Sequence, residues 1–164
     1  MNPIDIIKAK RSHSARLANQ QGAAGEIRAL ENMGNWVPRP LGKGLKVLLA
    51  VLLETGIHIK ASSFDAIELP DAQELDFLDS DQVRSLLPDM VFIEIKTANH
   101  PRVKADFSGF FFALTESEIA AAEALGSRHR VVLRNNLTDV MLLTSVPEIL
   151  HKAKSSSWQL SVQL

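Results

Sequence analysis

The chain has no cysteine among its 164 residues. That excludes a disulfide scaffold and any thiolate zinc or iron–sulfur centre. It also lacks a long hydrophobic run. The longest, Leu45 to Leu53, is too short to span a bilayer, and the opening Met1-Asn2-Pro3-Ile4-Asp5 has no apolar signal-peptide core. These absences suit a soluble protein of the reducing cytoplasm. No internal repeat, long linker, G-x-S-x-G, Walker A loop or G-x-G-x-x-G occurs, so the usual hydrolase and nucleotide-binding signatures are missing. Charge of one sign is missing too. The net charge of −1 gives no global pull towards nucleic acid.

The length and a hydrophobic fraction of 46% fit one globular domain spanning residues 1–164, with enough apolar mass for a core. The charges are unevenly spread. Lys8, Lys10, Arg11, Arg16, Arg28, Arg39, Lys43, Lys46 and Lys60 outnumber the acids of the first third, and nearly every charge from Asp65 to Glu94 is acidic. A protein that meets a polyanion on one side and holds a cation on the other would have this pattern. Solvated charges on separate faces would have it as well.

Periodicity predicts a helix over about Ser14–Met33, ended by Gly34-Asn35 and the Pro38–Pro40 pair. Leu45–Thr55 is a helix or a strand, and Gly56 just beyond it favours a helix with a glycine C-cap. Strands are predicted at Ile57–Lys60, Phe64–Leu69, Met90–Thr97, Phe107–Leu114, Arg130–Leu133 and Val140–Leu143, with a surface excursion around Asp71–Asp81. Two capping boxes, Thr115…Glu118 and Ser145…Glu148, each open a helix, the first stopping at Gly126 and the second near Lys154. Alternation of Trp158, Leu160, Val162 and Leu164 suggests a closing strand. This order makes an α/β fold, a mixed sheet flanked by helices.

Met90-Val91-Phe92-Ile93-Glu94-Ile95-Lys96-Thr97 carries the chemistry. In a strand Val91, Ile93 and Ile95 share one face, and Phe92, Glu94 and Lys96 share the other. A carboxylate and an amine in so hydrophobic a strand are costly unless paired. A cation with a phosphate would satisfy them, and a plain Glu–Lys ion pair would do so equally. Asp65 opens the preceding strand, and a neighbouring strand lies about 4.8 Å away. Asp65 and Glu94 are therefore able to converge on one ion, with the oxygen-rich shell that Mg²⁺ or Mn²⁺ prefers. Asp89, in Pro88-Asp89, is the rival. Placed in the same strand it is about 16 Å from Glu94 and on the other face, so Asp65 is preferred. Glu68 has the wrong parity relative to Asp65.

Asp65-Ala66-Ile67, a variable insertion and then Val91-Phe92-Ile93-Glu94-Ile95-Lys96-Thr97 resemble the PD-(D/E)XK nuclease superfamily, in particular its small bacterial nuclease-like domains. Gly25-Glu26 matches a Gly-Glu pair that many of them carry in the first helix. The resemblance covers roughly residues 22–135 and implies an αβββαβ restriction-endonuclease-like core. It implies metal ligation by Asp65, Glu94 and the Ile95 carbonyl, with Glu26 as an outer ligand, and a lysine, Lys96, that positions or activates the attacking water. The activity implied is Mg²⁺- or Mn²⁺-dependent hydrolysis of DNA by an endonuclease of the restriction, defence or repair kind, working as a homodimer where both strands are cut. Arg102 and Lys104 are candidate DNA-backbone contacts, with Arg128, Arg130 and Arg134 as further basic residues. Phe107, Phe110, Phe111 and Phe112 read as core, and the five histidines have no metal-ligand spacing. The alternative is a nuclease-fold protein that binds nucleic acid or a protein partner without cleaving, Glu94 and Lys96 being a buried pair.

Overall fold

A computed structural model describes residues 33–70, 74–157 and 163–164. The predicted helix at 14–33 (apart from Met33), Glu26 and most of the closing strand lie outside these residues. Gln163 and Leu164 are in no strand. The described part is mixed α/β, with a five-stranded sheet in the order of its sequence. The elements are β1 (Trp36–Pro38), α1 (Gly42–Glu54), β2 (Ala66–Glu68), α2 (Ser80–Leu86), β3 (Val91–Ala98), α3 (Glu116–Leu125), β4 (His129–Asn135), β5 (Val140–Thr144) and α4 (Val146–Lys152). Among the described residues no helix is long and apolar enough to cross a membrane.

β3 is the central strand, and its alternation is as the sequence predicts. Ile93 and Ile95 pack with Ala66 and Val132 on one face. Phe92 enters the core formed with Leu48, Val51 and Leu52 of α1 and Ala121 and Leu125 of α3 on the other. The pairs β1–β2, β2–β3 and β4–β5 are antiparallel, whereas β3 and β4 are parallel. A parallel pair needs a crossover, which α3 supplies.

α1 confirms the helical reading of the greasy run. Its stop is a Schellman motif: Ile57 N–H donates to the Leu52 carbonyl at 3.1 Å and Gly56 N–H to Leu53 at 2.9 Å. Gly56 takes φ 83°, the left-handed conformation that this ending requires. The Thr115 capping box forms in full. The Ser145 box forms in half, because Ser145 Oγ accepts from Glu148 N–H while the Glu148 carboxylate turns to Thr144 Oγ1.

Two predicted strands are absent. Ile57–Lys60 is irregular and runs into a 3₁₀ turn at Ala61–Ser63, without pairing to any strand of the sheet. Phe107–Leu114 is irregular as well. Phe107 and Gly109 both have positive φ, 60° and 83°, which breaks an extended chain. Phe107, Phe110 and Phe112 gather beneath α3 and α4, but Phe111 is 80% exposed rather than core. Two elements escaped prediction. β1 has only three residues, and α2 begins inside the stretch read as a surface excursion. Its signal was Asp79, whose carboxylate accepts from the N–H groups of Asp81 and Gln82.

Gly56→Ala is expected to cost about 1–2 kcal/mol, the penalty for a side chain in left-handed backbone. Gly34→Ala, with open space at the Cβ position and no positive φ, should change little. Urea denaturation of the two variants checks this.

Candidate active site

Asp65 stands immediately before β2. Its N–H donates to Ile93 O at 2.7 Å, and its carbonyl accepts from Arg39 N–H at 2.9 Å. The Arg39 guanidinium holds the preceding turn through the carbonyls of Ala61 and Phe64, at 2.7 and 2.8 Å. Continuing the β2–β3 register, in which Ala66 faces Ile93, puts Asp65 opposite Glu94. Asp65 Oδ2 then accepts the Ile95 N–H at 2.8 Å. A strand residue directs its N–H and C=O to the same side, so the Ile95 carbonyl also faces the Asp65 edge.

On the same face of β3, Lys96 Nζ donates to Glu94 Oε1 at 2.8 Å and to Glu118 Oε1 of α3 at 3.0 Å. Glu118 is also the capping-box carboxylate, its Oε2 accepting Thr115 N–H at 2.9 Å. Glu94 and Glu118 are only 5% and 4% exposed. Two carboxylates therefore bind one ammonium, and Asp65 adds a third across the strands, in a largely dry place. Burial, then repulsion from Asp65 and Glu118, pushes the Glu94 carboxyl well above its usual range against the pull of Lys96. Burial likewise raises Asp65, opposed by the Ile95 N–H, Glu94, Lys96 and Arg39. Burial would lower Lys96, but the two carboxylates outweigh it and raise the ammonium instead. The ion pair is thus lopsided. Lys96 gains two anions, whereas Glu94 shares one cation.

The donor set fits a hard divalent cation. Glu94 Oε2 is buried without a hydrogen-bond partner, and opposite it across the strands is a second carboxylate, Asp65, with one oxygen on the Ile95 N–H. Among the described residues no cluster of three or more His, Asp or Glu side chains is arranged to hold a metal. Asp65 and Glu94 would therefore rely on a carbonyl and water for the remaining positions, as Mg²⁺ sites with one or two carboxylates do.

The predicted site residues Asp65, Glu94, Ile95 and Lys96 are brought together. Asp89 is not with them. It lies in a 3₁₀ turn, Leu87–Asp89, before β3 begins, and is exposed rather than part of the strand. Arg102 and Lys104 are exposed in the loop after β3 and have no ion pair among the described residues. Arg134 is no surface contact, being buried and paired with Asp139 at 2.7 Å. Arg130 and Arg134 face Ile93 and Thr97 in register, on the side of the sheet away from Glu94. Arg128 donates to the Leu87 carbonyl. Glu68 is half-buried and accepts from Asn35.

Sequence reasoning missed three neighbours of the site. Glu118 was seen only as a cap, although its position in the capping box was the available signal. Arg39 was counted as one more basic residue. His129, set aside with the other histidines, is buried with Nε2 3.2 Å from the Ser63 carbonyl, and burial holds its pKa down. Comparisons with protein-family models, curated proteins and solved structures return no match.

A raised folded-state pKa gives a definite sign for stability. Between the ordinary carboxylate range and the raised pKa of Glu94 the folded chain keeps a proton that the unfolded chain has released. Stability therefore falls as pH rises through that window and levels off above it. In chelator, wild type should lose melting temperature with rising pH relative to Glu94→Gln, which has no such proton. Parallel melting curves for the two proteins would show that Glu94 does not carry the slope.

Proposed function

We propose that this chain is a divalent-metal-dependent endonuclease that hydrolyses DNA phosphodiester bonds, with Asp65, Glu94 and Lys96 at its centre. The observation that carries this reading is the convergence of Asp65 and Glu94 from adjacent strands, leaving Glu94 Oε2 buried and unpartnered beside the Lys96 ammonium. The sheet is compatible with it: β1–β2 and β2–β3 are antiparallel and α3 crosses over to the parallel β4, although α1 and α2 interrupt the run of three strands that the αβββαβ expectation calls for.

In this reading Asp65, Glu94 and the Ile95 carbonyl hold Mg²⁺ or Mn²⁺, and the superfamily resemblance adds Glu26 as an outer ligand. When bound, such a cation polarises the scissile phosphate and lowers the pKa of bound water. The chain's own residues do the rest. Asp65, tied through Oδ2 to Ile95 N–H, and Glu94, tied through Oε1 to Lys96, are held before substrate arrives. That is the preorganisation on which electrostatic catalysis depends. Lys96 places positive charge where negative charge builds on the phosphate oxygens as water adds and the P–O bond to the leaving sugar oxygen breaks. Its low-dielectric surroundings strengthen that interaction. Arg102 and Lys104, exposed beyond β3, supply contacts to the DNA backbone. One such site cuts one strand, so a double-strand break needs a homodimer or two encounters.

The alternative, a nuclease-fold protein that binds nucleic acid or a protein partner without cutting, draws on one specific observation. Lys96 is already satisfied by two carboxylates, so the cluster does not depend on a ligand to pair its cation.

Divalent cation should raise the melting temperature of wild type, by about 2.7 kcal/mol of stability at a hundredfold excess over Kd. Asp65→Ala should lose that gain and lose cleavage of supercoiled plasmid while keeping its circular dichroism. Asp89→Ala should keep both. Equal metal-induced shifts in wild type and Asp65→Ala would remove Asp65 from the site.

Lys96→Met separates cutting from pairing. It strands two buried carboxylates, so early melting is expected under either reading, by about 3–5 kcal/mol where a buried pair is broken. Loss of a transition-state donor should in addition lower turnover of the folded fraction by about 10²–10³-fold. Normal turnover by the folded fraction would refute a catalytic lysine.

A further inference from the structure

We propose that Glu118 is the positioning residue of Lys96, its carboxylate fixing the direction of the one ammonium N–H left for substrate. This rests on the endonuclease reading for its catalytic meaning, though not for its geometry.

A lysine ammonium has three N–H donors on a flexible four-carbon stem. Held by Glu94 alone, it would still rotate about that one hydrogen bond. With a second acceptor on another element the rotor is locked. Glu94 Oε1 on β3 takes one N–H at 2.8 Å and Glu118 Oε1 on α3 takes another at 3.0 Å. The third then has a single direction.

Glu118 is itself unable to swing. Oε2 accepts Thr115 N–H at 2.9 Å, its own N–H donates to Thr115 Oγ1 at 3.2 Å, and the residue is buried. The capping box, normally a device of helix ends, here clamps a carboxylate against the site.

Charge neutralisation does not account for Glu118. Glu94 already gives Lys96 a counter-ion, and another buried anion adds repulsion that Glu94 feels. A second buried carboxylate on Lys96, itself fixed by the capping box, fits the supporting layer around a reactive residue. Substitutions in such layers around metal sites typically lower affinity or activity by about 10–100-fold.

Glu118→Gln keeps length and packing, but its single amide oxygen cannot serve both Thr115 N–H and Lys96. Single-turnover cleavage of supercoiled plasmid in Mg²⁺ should fall by about 10–100-fold, with DNA affinity unchanged. Thr115→Ala, which loosens the clamp but keeps the backbone N–H that Glu118 Oε2 binds, should lower the melting temperature and lower the rate by less than Glu118→Gln does. An equal loss of rate in Thr115→Ala would reduce Glu118 to a helix cap and overturn the proposal.

The second readout needs neither metal nor DNA. In metal-free protein the ¹⁵N signal of the Lys96 ammonium, assigned by its loss in Lys96→Met, should be distinct and slow to exchange in wild type and averaged in Glu118→Gln. A fast-exchanging Lys96 signal in wild type overturns the proposal even if Glu118→Gln does not fold. So does a Glu118→Gln protein that cuts at the wild-type rate with its ammonium still ordered. If wild type cuts no DNA but its ammonium is ordered only with Glu118 present, the endonuclease reading falls and the positioning stands.

Discussion

Lys96 joins the second half of β3 to the first turn of α3, and much of the site's geometry follows from that shared ammonium. Glu94 points where it does because Lys96 draws on one of its oxygens. Glu118 is buried because the same ammonium draws it inward from the capping box. The arrangement leaves one more carboxylate than a cation can serve, and burial makes the imbalance costly. Asp65 then adds a third anion from the neighbouring strand. Two of the three carboxylates bind the ammonium directly, and Asp65 is held instead by the Ile95 N–H, with Arg39 as a further positive charge acting on it.

Apolar packing fixes the positions of these charges. Phe64, next to Asp65 in sequence, meets Phe92, two residues before Glu94, edge to face with centroids 5.1 Å apart, and both rings are fully buried. The Arg39 guanidinium lies 6.0 Å above Phe64 and clamps the carbonyls that precede Asp65. The distance between the two carboxylates is thus set from below by a close-packed aromatic contact, whose geometry resists small displacements.

The parts legible in the sequence were those governed by local rules. Alternation along Val91–Thr97 assigned Glu94 and Lys96 to one face, Gly56 marked the end of α1, and Thr115…Glu118 marked the start of α3. Asp65 was legible because strand neighbours converge. The failures share a different cause. Ile57–Lys60 and Phe107–Leu114 satisfy a strand pattern, but neither pairs with the sheet: the first runs into a 3₁₀ turn and the second is broken by positive φ at Phe107 and Gly109. Whether an extended segment finds a partner is a tertiary matter that a local pattern does not contain. Glu118 eluded site prediction for a related reason. Its capping role was visible locally, whereas the ammonium it also binds sits 22 residues earlier in the chain.

Register is where these constraints meet. A slip of β3 by one residue would carry Glu94 and Lys96 to the face packed by Ala66 and Val132, and Ile93 and Ile95 to the face where Asp65 and Glu118 wait. Both faces would be wrong at once. One would hold charges among aliphatic groups, and the other would leave carboxylates with no cation. Because both faces of β3 are buried along most of its length, neither error is relieved by solvent. The charged pair that makes the strand expensive therefore also singles out its register. A strand apolar on both faces would lack that discrimination, and with it any guarantee that Asp65 meets Glu94.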